Sequence, residues 1–216
     1  LSTLAGLTPE RHEVEILDEN VERINYDFID ADLVGITVMT AQAPRAYEIS
    51  KVLKESGVKV VLGGIHPTAM PEEAIKYADA IVIGEAEGLW PRVIEDCERA
   101  TLKKMYYSDL RPSLENHTFP RKELYLKNKH YKRYYMTVDT LQAGRGCPFN
   151  CDFCSVTAFF GNAYRAKPIA DVISEISKMK GTMMVFMDDN IMGNPKYALA
   201  LFKALIPLNK KWFSQC

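Results

Sequence analysis

Apolar positions along the first hundred residues switch between two periods, and each switch marks an element. His12 to Leu17 alternates polar and apolar residues, the period of a strand with one buried face. Leu33 to Met39 is a short, β-branched apolar run, as expected of a strand covered on both faces. From Ala46 to Ser56 the spacing turns helical through Tyr47, Ile49, Val52 and Leu53, and Gly57 closes the helix. Val58 to Leu62 returns to the buried-strand pattern and stops at Gly63-Gly64. A helix opened by proline from Pro71 to Tyr77, a strand from Ala80 to Ile83 and a helix from Gly88 to Arg99 follow. Strands alternating with helices predict an α/β fold, a doubly wound parallel sheet whose ligands lie beyond the strands' carboxyl ends.

Those ends carry Thr37 to Thr40, then Gly63-Gly64-Ile65-His66-Pro67-Thr68, then Gly84-Glu85. Glycines after a strand let a backbone approach a flat or phosphate-bearing ligand, although any tight strand-to-helix turn uses them too. His66 reads equally as a loop-bonded side chain or as a ligand contact. Between Thr101 and Tyr134 the periodicity fades. Pro112 and Pro120 fall here, and Arg121 to Tyr135 sets six Lys or Arg against one Glu, interleaved with four tyrosines. Such interleaving suits single-stranded nucleic acid. A solvated connector is the preferred reading, because no second basic patch extends a groove.

Regular patterning resumes with an apolar strand from Tyr135 to Gln142. Pro168 to Lys180 follows as a helix with Ile169, Val172, Ile173, Ile176 and Met179 on one face. Met183 to Met187 reads as a buried strand ending in Asp188-Asp189-Asn190, Tyr197 to Leu205 as a helix and Lys211 to Gln215 as a further strand. This order fits the opening of a partial α/β barrel, with its chemistry at the strand C-termini.

Composition narrows the classes. A net charge of −1 removes any general electrostatic case for nucleic acid. No apolar run approaches the ~20 residues a membrane span needs, and the N-terminus lacks a signal-peptide layout. Five cysteines, three of them clustered, do not form a secreted disulfide framework and point to a reducing cytoplasm.

The clustered three, Cys147, Cys151 and Cys154, lie in Gly144-Arg145-Gly146-Cys147-Pro148-Phe149-Asn150-Cys151-Asp152-Phe153-Cys154, a C-x3-C-x2-C run. Iron–sulfur clusters are normally held by four thiolates, so a three-thiol site leaves one iron open to a small molecule. A zinc knuckle or a redox dithiol is the alternative, but zinc prefers four ligands in separated pairs, and only Cys97 and Cys216 remain.

With an aromatic just before its third cysteine, this motif resembles the radical S-adenosylmethionine enzymes. The resemblance implies a [4Fe–4S] cluster on Cys147, Cys151 and Cys154 that binds S-adenosylmethionine and cleaves it to a 5′-deoxyadenosyl radical. It also implies a reducing electron donor such as flavodoxin or ferredoxin. Phe153 would pack on the adenine, and Asp188, Asp189 and Asn190 stand where the family contacts the amino group. They depart from the family's common glycine-glycine-glutamate form, which leaves open which of the three makes the contact. An acidic helix-entry turn is the other reading.

Together with Asp18-Glu19-Asn20, the glycine turns and Ile83-Gly84-Glu85-Ala86-Glu87-Gly88, the chain resembles the cobalamin-binding, Rossmann- or flavodoxin-like domain that precedes many such barrels. That resemblance places Thr37, Gly63, Gly64, His66 and Gly84 at the cobalamin. The implied organisation is a cobalamin-binding-like domain over 1–100, a linker over 101–134 and the first part of a TIM-like radical S-adenosylmethionine barrel over 135–216. Leu1 to Leu7 reads as the first helix, with a first strand expected before it. Too few strand–helix units follow Cys147 to complete a barrel, so the chain reads as a piece open at both ends. The expected activity is methylation of an unactivated carbon of a small molecule, with ring cyclisation on the same architecture as the rival. Methylthiotransfer fits less well, because it would need a second set of three cysteines near the N-terminus. A zinc-stabilised nucleic-acid-binding module is the non-enzyme alternative.

Overall fold

The computed structural model describes residues 1–115, 119–126 and 138–216. It divides the chain into two compact units, one built from 1–112 and 120–134 and the other from 113–119 and 135–216. Most of the basic aromatic segment and the start of the strand expected from Tyr135 lie outside the described residues.

In the first unit a short helix α1 (Ser2–Leu7) precedes four parallel strands: β1 (Leu33–Thr37), β2 (Lys59–Gly63), β3 (Ala80–Val82) and β4 (Met105–Tyr106). They lie side by side in that order. Alternate residues of one strand serve opposite faces. Val60, Leu62 and Ile81 pack with Ala46, Ile49 and Leu53 of α2 (Ala43–Glu55), while Val61, Ala80 and Val82 pack with Val93 of α5 (Trp90–Glu98). Helices thus cover both faces, as a doubly wound sheet requires.

Four expectations change. His12 to Leu17 forms no strand, although its side chains still alternate in exposure. Alternation needs only one covered face, whereas a strand also needs a backbone partner. The Gly63-to-Thr68 turn contains a helix, α3 (Ile65–Ala69), because Pro67 sits within its first turn, where a missing N–H costs little. The helix expected from Pro71 to Tyr77 stops early as α4 (Pro71–Ala74) and continues as turns. β4 arises within the stretch read as aperiodic, where a two-residue strand leaves no period to detect.

After α6 (Glu123–Leu126), the second unit holds a three-stranded parallel sheet in the order β5 (Asp139–Leu141), β8 (Met183–Phe186), β9 (Lys211–Phe213). Between β5 and β8 come β6 (Gly144–Arg145), α7 (Ser155–Phe160), β7 (Arg165–Ala166) and α8 (Ile169–Ser177), and α9 (Pro195–Leu205) joins β8 to β9. β6 and β7 form an antiparallel pair that the sequence pattern does not show. Leu141, Met184, Phe186, Val172, Ile176 and Leu201 make the core. The strands are parallel and linked by helices, as a barrel begins, but the described residues form no closed barrel. Among them, no helix is long and apolar enough to cross a membrane.

Candidate functional site

In the first unit the strand ends converge through one threonine. Thr68, on α3, donates its hydroxyl to the Gly64 carbonyl at 2.8 Å and accepts the Gly84 N–H at 2.9 Å. It therefore ties the turn after β2 to the turn after β3. Gly64 has φ +101 and ψ −163, a conformation all but reserved for glycine. A Cβ there would come within 3.1 Å of Thr37 Oγ1 and of the Val38 backbone. Around Gly84 there is open space, since a Cβ would meet nothing within 4 Å. Thr37 is exposed, as is Met39 beside it. Open backbone with adjacent exposed apolar surface fits a large flat ligand such as a corrin.

His66 is buried rather than exposed at the strand ends. It is 4% exposed, and its Nε2 lies 2.7 Å from the Tyr47 hydroxyl, which itself donates to Glu73 at 2.9 Å. The phenol has only one proton, so Nε2 is the donor to Tyr47, and Nδ1 has no partner among the described residues. Burial, with Glu73 alongside, pushes the Tyr47 phenol up to about 12. Tyr47, Glu73 and Thr68 were not among the expected site residues. Tyr47 in particular reads as one more apolar position of a helix.

In the second unit Cys147, Cys151 and Cys154 follow β6, and all three thiols are free. Gly146 has φ +83, and a Cβ there would collide with the Ala163 carbonyl oxygen. The loop is therefore built around a glycine immediately before its first thiol. Among the described residues no three metal-binding side chains converge on a single ion. A four-iron cluster makes a different demand, taking each thiolate on a separate iron. The thiolate donors themselves suit iron–sulfur chemistry.

Asp188, Asp189 and Asn190 come together around this loop, each with a different partner. Asp188 is 2% exposed and accepts from the Ala143 N–H at 2.9 Å, the Gly144 N–H at 2.6 Å and the Tyr164 hydroxyl at 3.0 Å. Asp189 is half-buried and accepts from the Gly146 N–H at 3.3 Å. Asn190 points its Nδ2 at Cys147 Sγ, 3.5 Å away. Burial raises both carboxyl groups above the ordinary range, against the pull of the backbone N–H bonds each accepts. Phe153 is 93% exposed and free to cover a ligand. Tyr164 is a further site residue, since its ring packs so closely over Gly144 that a Cβ there could not fit.

Asp188→Asn gives a direct test of that anchor. The substitution removes a buried charge but presents an NH2 group to backbone donors, and an unsatisfied buried donor costs about 1–3 kcal/mol. We expect lower thermal stability at neutral pH. The sign of the pH dependence is also fixed. A carboxyl raised in the folded state favours folding below its unfolded value of 3.8, and that contribution is lost as pH rises through the folded value. The Asn variant should lack this loss, which pH-resolved melting would show.

The fold and both candidate sites define an α/β protein with glycine turns at the strand ends of one unit and a loop of three free thiols in the other. Residues 1–94 match the B12 binding domain family. The chain is 40% identical over 169 residues to the bacteriochlorophyllide d C-8(2)-methyltransferase of Chlorobaculum tepidum, covering 77% of this chain and 37% of that one. It is 33% identical over 220 residues to the C-12(1)-methyltransferase of the same organism, covering 98% and 48%. With the hopanoid C-2 methylase of Rhodopseudomonas palustris it shares 26% over 221 residues, covering 98% and 40%. The chain spans less than half the length of each. Residues 1–94 thus carry a B12-binding domain, and the chain as a whole is similar to proteins named methyltransferases or a methylase.

Proposed function

We propose that the protein is a cobalamin-dependent radical S-adenosylmethionine enzyme that methylates an unactivated carbon of a small molecule. The supporting observation is the presence, on one chain, of a B12-binding domain over 1–94 and a loop of three free thiols hydrogen-bonded to the residues after β8. When bound, the cluster would supply the electron that cleaves S-adenosylmethionine, and cobalamin the methyl group that is transferred.

The chain's own residues have distinct parts. Cys147, Cys151 and Cys154 would hold the cluster, while Asp188 fixes the backbone entering their loop. Asp189 is the carboxylate best placed to pair with the ammonium of S-adenosylmethionine, since each Asp188 oxygen already accepts a hydrogen bond and Asp189 keeps exposed surface. Phe153 would cover the adenine. Thr37, Gly63, Gly64 and Gly84 would receive cobalamin, with Thr68 setting the spacing of the two glycine turns. His66, buried against Tyr47 and Glu73, would support this end of the sheet rather than touch the ligand directly. Five unpaired cysteines suit a reducing, cytoplasmic setting and a reduced donor such as flavodoxin or ferredoxin.

Elemental analysis of protein reconstituted without oxygen and supplied with cobalamin tests this reading. We expect about four irons per chain and one cobalt retained after desalting, with little zinc. About one zinc and no iron would overturn the reading in favour of a zinc-stabilised module. In turnover with S-adenosylmethionine, a product in which one hydrogen is replaced by methyl, heavier by CH2, is expected, whereas an unmethylated, rearranged product would replace methylation with cyclisation.

A further inference from the structure

Asn190 is 8% exposed, and the two ends of its side-chain amide are committed to different neighbours. Its Oδ1 accepts the Met192 backbone N–H at 3.1 Å. This bond decides which way the amide faces, because a flipped group would set donor against donor. Nδ2 is therefore the atom 3.5 Å from Cys147 Sγ. The backbone is held as well: the Asn190 carbonyl accepts from Gly193 at 3.0 Å, and the next residue, Ile191, donates to Gln215 at 3.2 Å. Asn190 is poorly suited to receive the ammonium of S-adenosylmethionine. An ammonium needs acceptors, and this side chain has a single acceptor oxygen, one lone pair of which already serves Met192.

We propose that Asn190 is a positioning residue for Cys147, and that its N–H···S hydrogen bond raises the reduction potential of the cluster held there. The inference rests on the cluster reading above. Hydrogen bonds to the sulfurs are among the levers that set iron–sulfur potentials. A donor withdraws charge from the thiolate, and the reduced cluster, which carries one more electron, benefits more than the oxidised one. The residue would thus make the cluster easier to reduce, the step on which cleavage of S-adenosylmethionine depends.

Two variants test it. Asn190→Asp keeps the acceptor for Met192 and turns the donor into a repelling oxygen. Asn190→Leu removes the donor without adding charge. Both would be reconstituted beside the unaltered protein, assayed for iron, and titrated for reduction by electron paramagnetic resonance without S-adenosylmethionine. The expected result is about four irons in each. At a fixed poise the Leu variant should show roughly tenfold less reduced over oxidised cluster, about 59 mV for one electron. The Asp shift should be at least as large. An unchanged or raised potential in the Leu variant with full iron would overturn the proposal. Loss of iron from both variants would also overturn it, in favour of a purely structural role. Failure of the unaltered protein to take up iron would remove the cluster reading and this inference together, a result distinct from the other two.

Discussion

Gly146→Ala is expected to strip the protein of iron, from about four per chain to less than one, while cobalamin binding persists. Gly146 stands at φ +83, where a Cβ costs about 1–2 kcal/mol in the left-handed region. The added methyl would also run into the Ala163 carbonyl oxygen, with the Gly161 carbonyl 3.3 Å away. Both obstacles are backbone, so no rotamer change relieves them, and overpacking of this kind adds about 1–3 kcal/mol. The loop escapes by moving, and that movement breaks the Gly146 N–H bond to Asp189 and carries Cys147 away from Asn190. Gly88→Ala is the control, because a Cβ there meets nothing within 4 Å. Iron content, cobalt content and far-ultraviolet circular dichroism on the same preparations would check the result. Full iron in the Ala variant would show that the loop does not need its tight turn.

The contrast between Gly146 and its partners shows what the sequence discloses and what it does not. The three cysteines are visible from spacing alone, as are β2, β3 and β8, because each is a local pattern of more than two residues. Asp188 is visible as an acidic residue after a strand and, by resemblance, as a candidate contact to the amino group, but not as an anchor of the backbone before the cysteines. Its tie to Ala143 and Gly144 joins positions more than forty residues apart, and no local period encodes such a pairing. The β6–β7 pair is hidden for the same reason, with two residues on each side. His12 to Leu17 fails in the opposite way, since its one-sided burial writes a strand pattern without a ladder to complete it. Tyr47 and His66 show a third kind of loss. Tyr47 reads as a helix-face apolar residue and His66 as a polar turn residue, but His66 lies on α3 and their bond depends on α2 and α3 packing together.

Gly64→Ala is expected to act on cobalt alone, lowering cobalamin retention severely while iron remains near four per chain. The conformation of Gly64 belongs to a region essentially closed to other residues, and forcing a side chain there costs about 1–3 kcal/mol. The new methyl would not project into open space as one at Gly84 would. It would press on Thr37 Oγ1 and on the N and O of Val38, all at 3.1 Å. The Val38 carbonyl is the acceptor for the His66 N–H at 3.0 Å, and the Val38 N–H donates to the Gly63 carbonyl at 2.8 Å. Wedging the two strand ends apart therefore opens the surface proposed to receive cobalamin and loosens the start of α3, which carries both Thr68 and His66. Thr68→Val would reach the same surface more gently. It removes the hydroxyl that links the Gly64 carbonyl to the Gly84 N–H, worth about 1 kcal/mol, and should weaken retention by roughly fivefold. The order Gly64→Ala worse than Thr68→Val, each with unchanged iron, would assign cobalamin to these strand ends. Equal cobalt retention in both variants would move the ligand elsewhere in the unit.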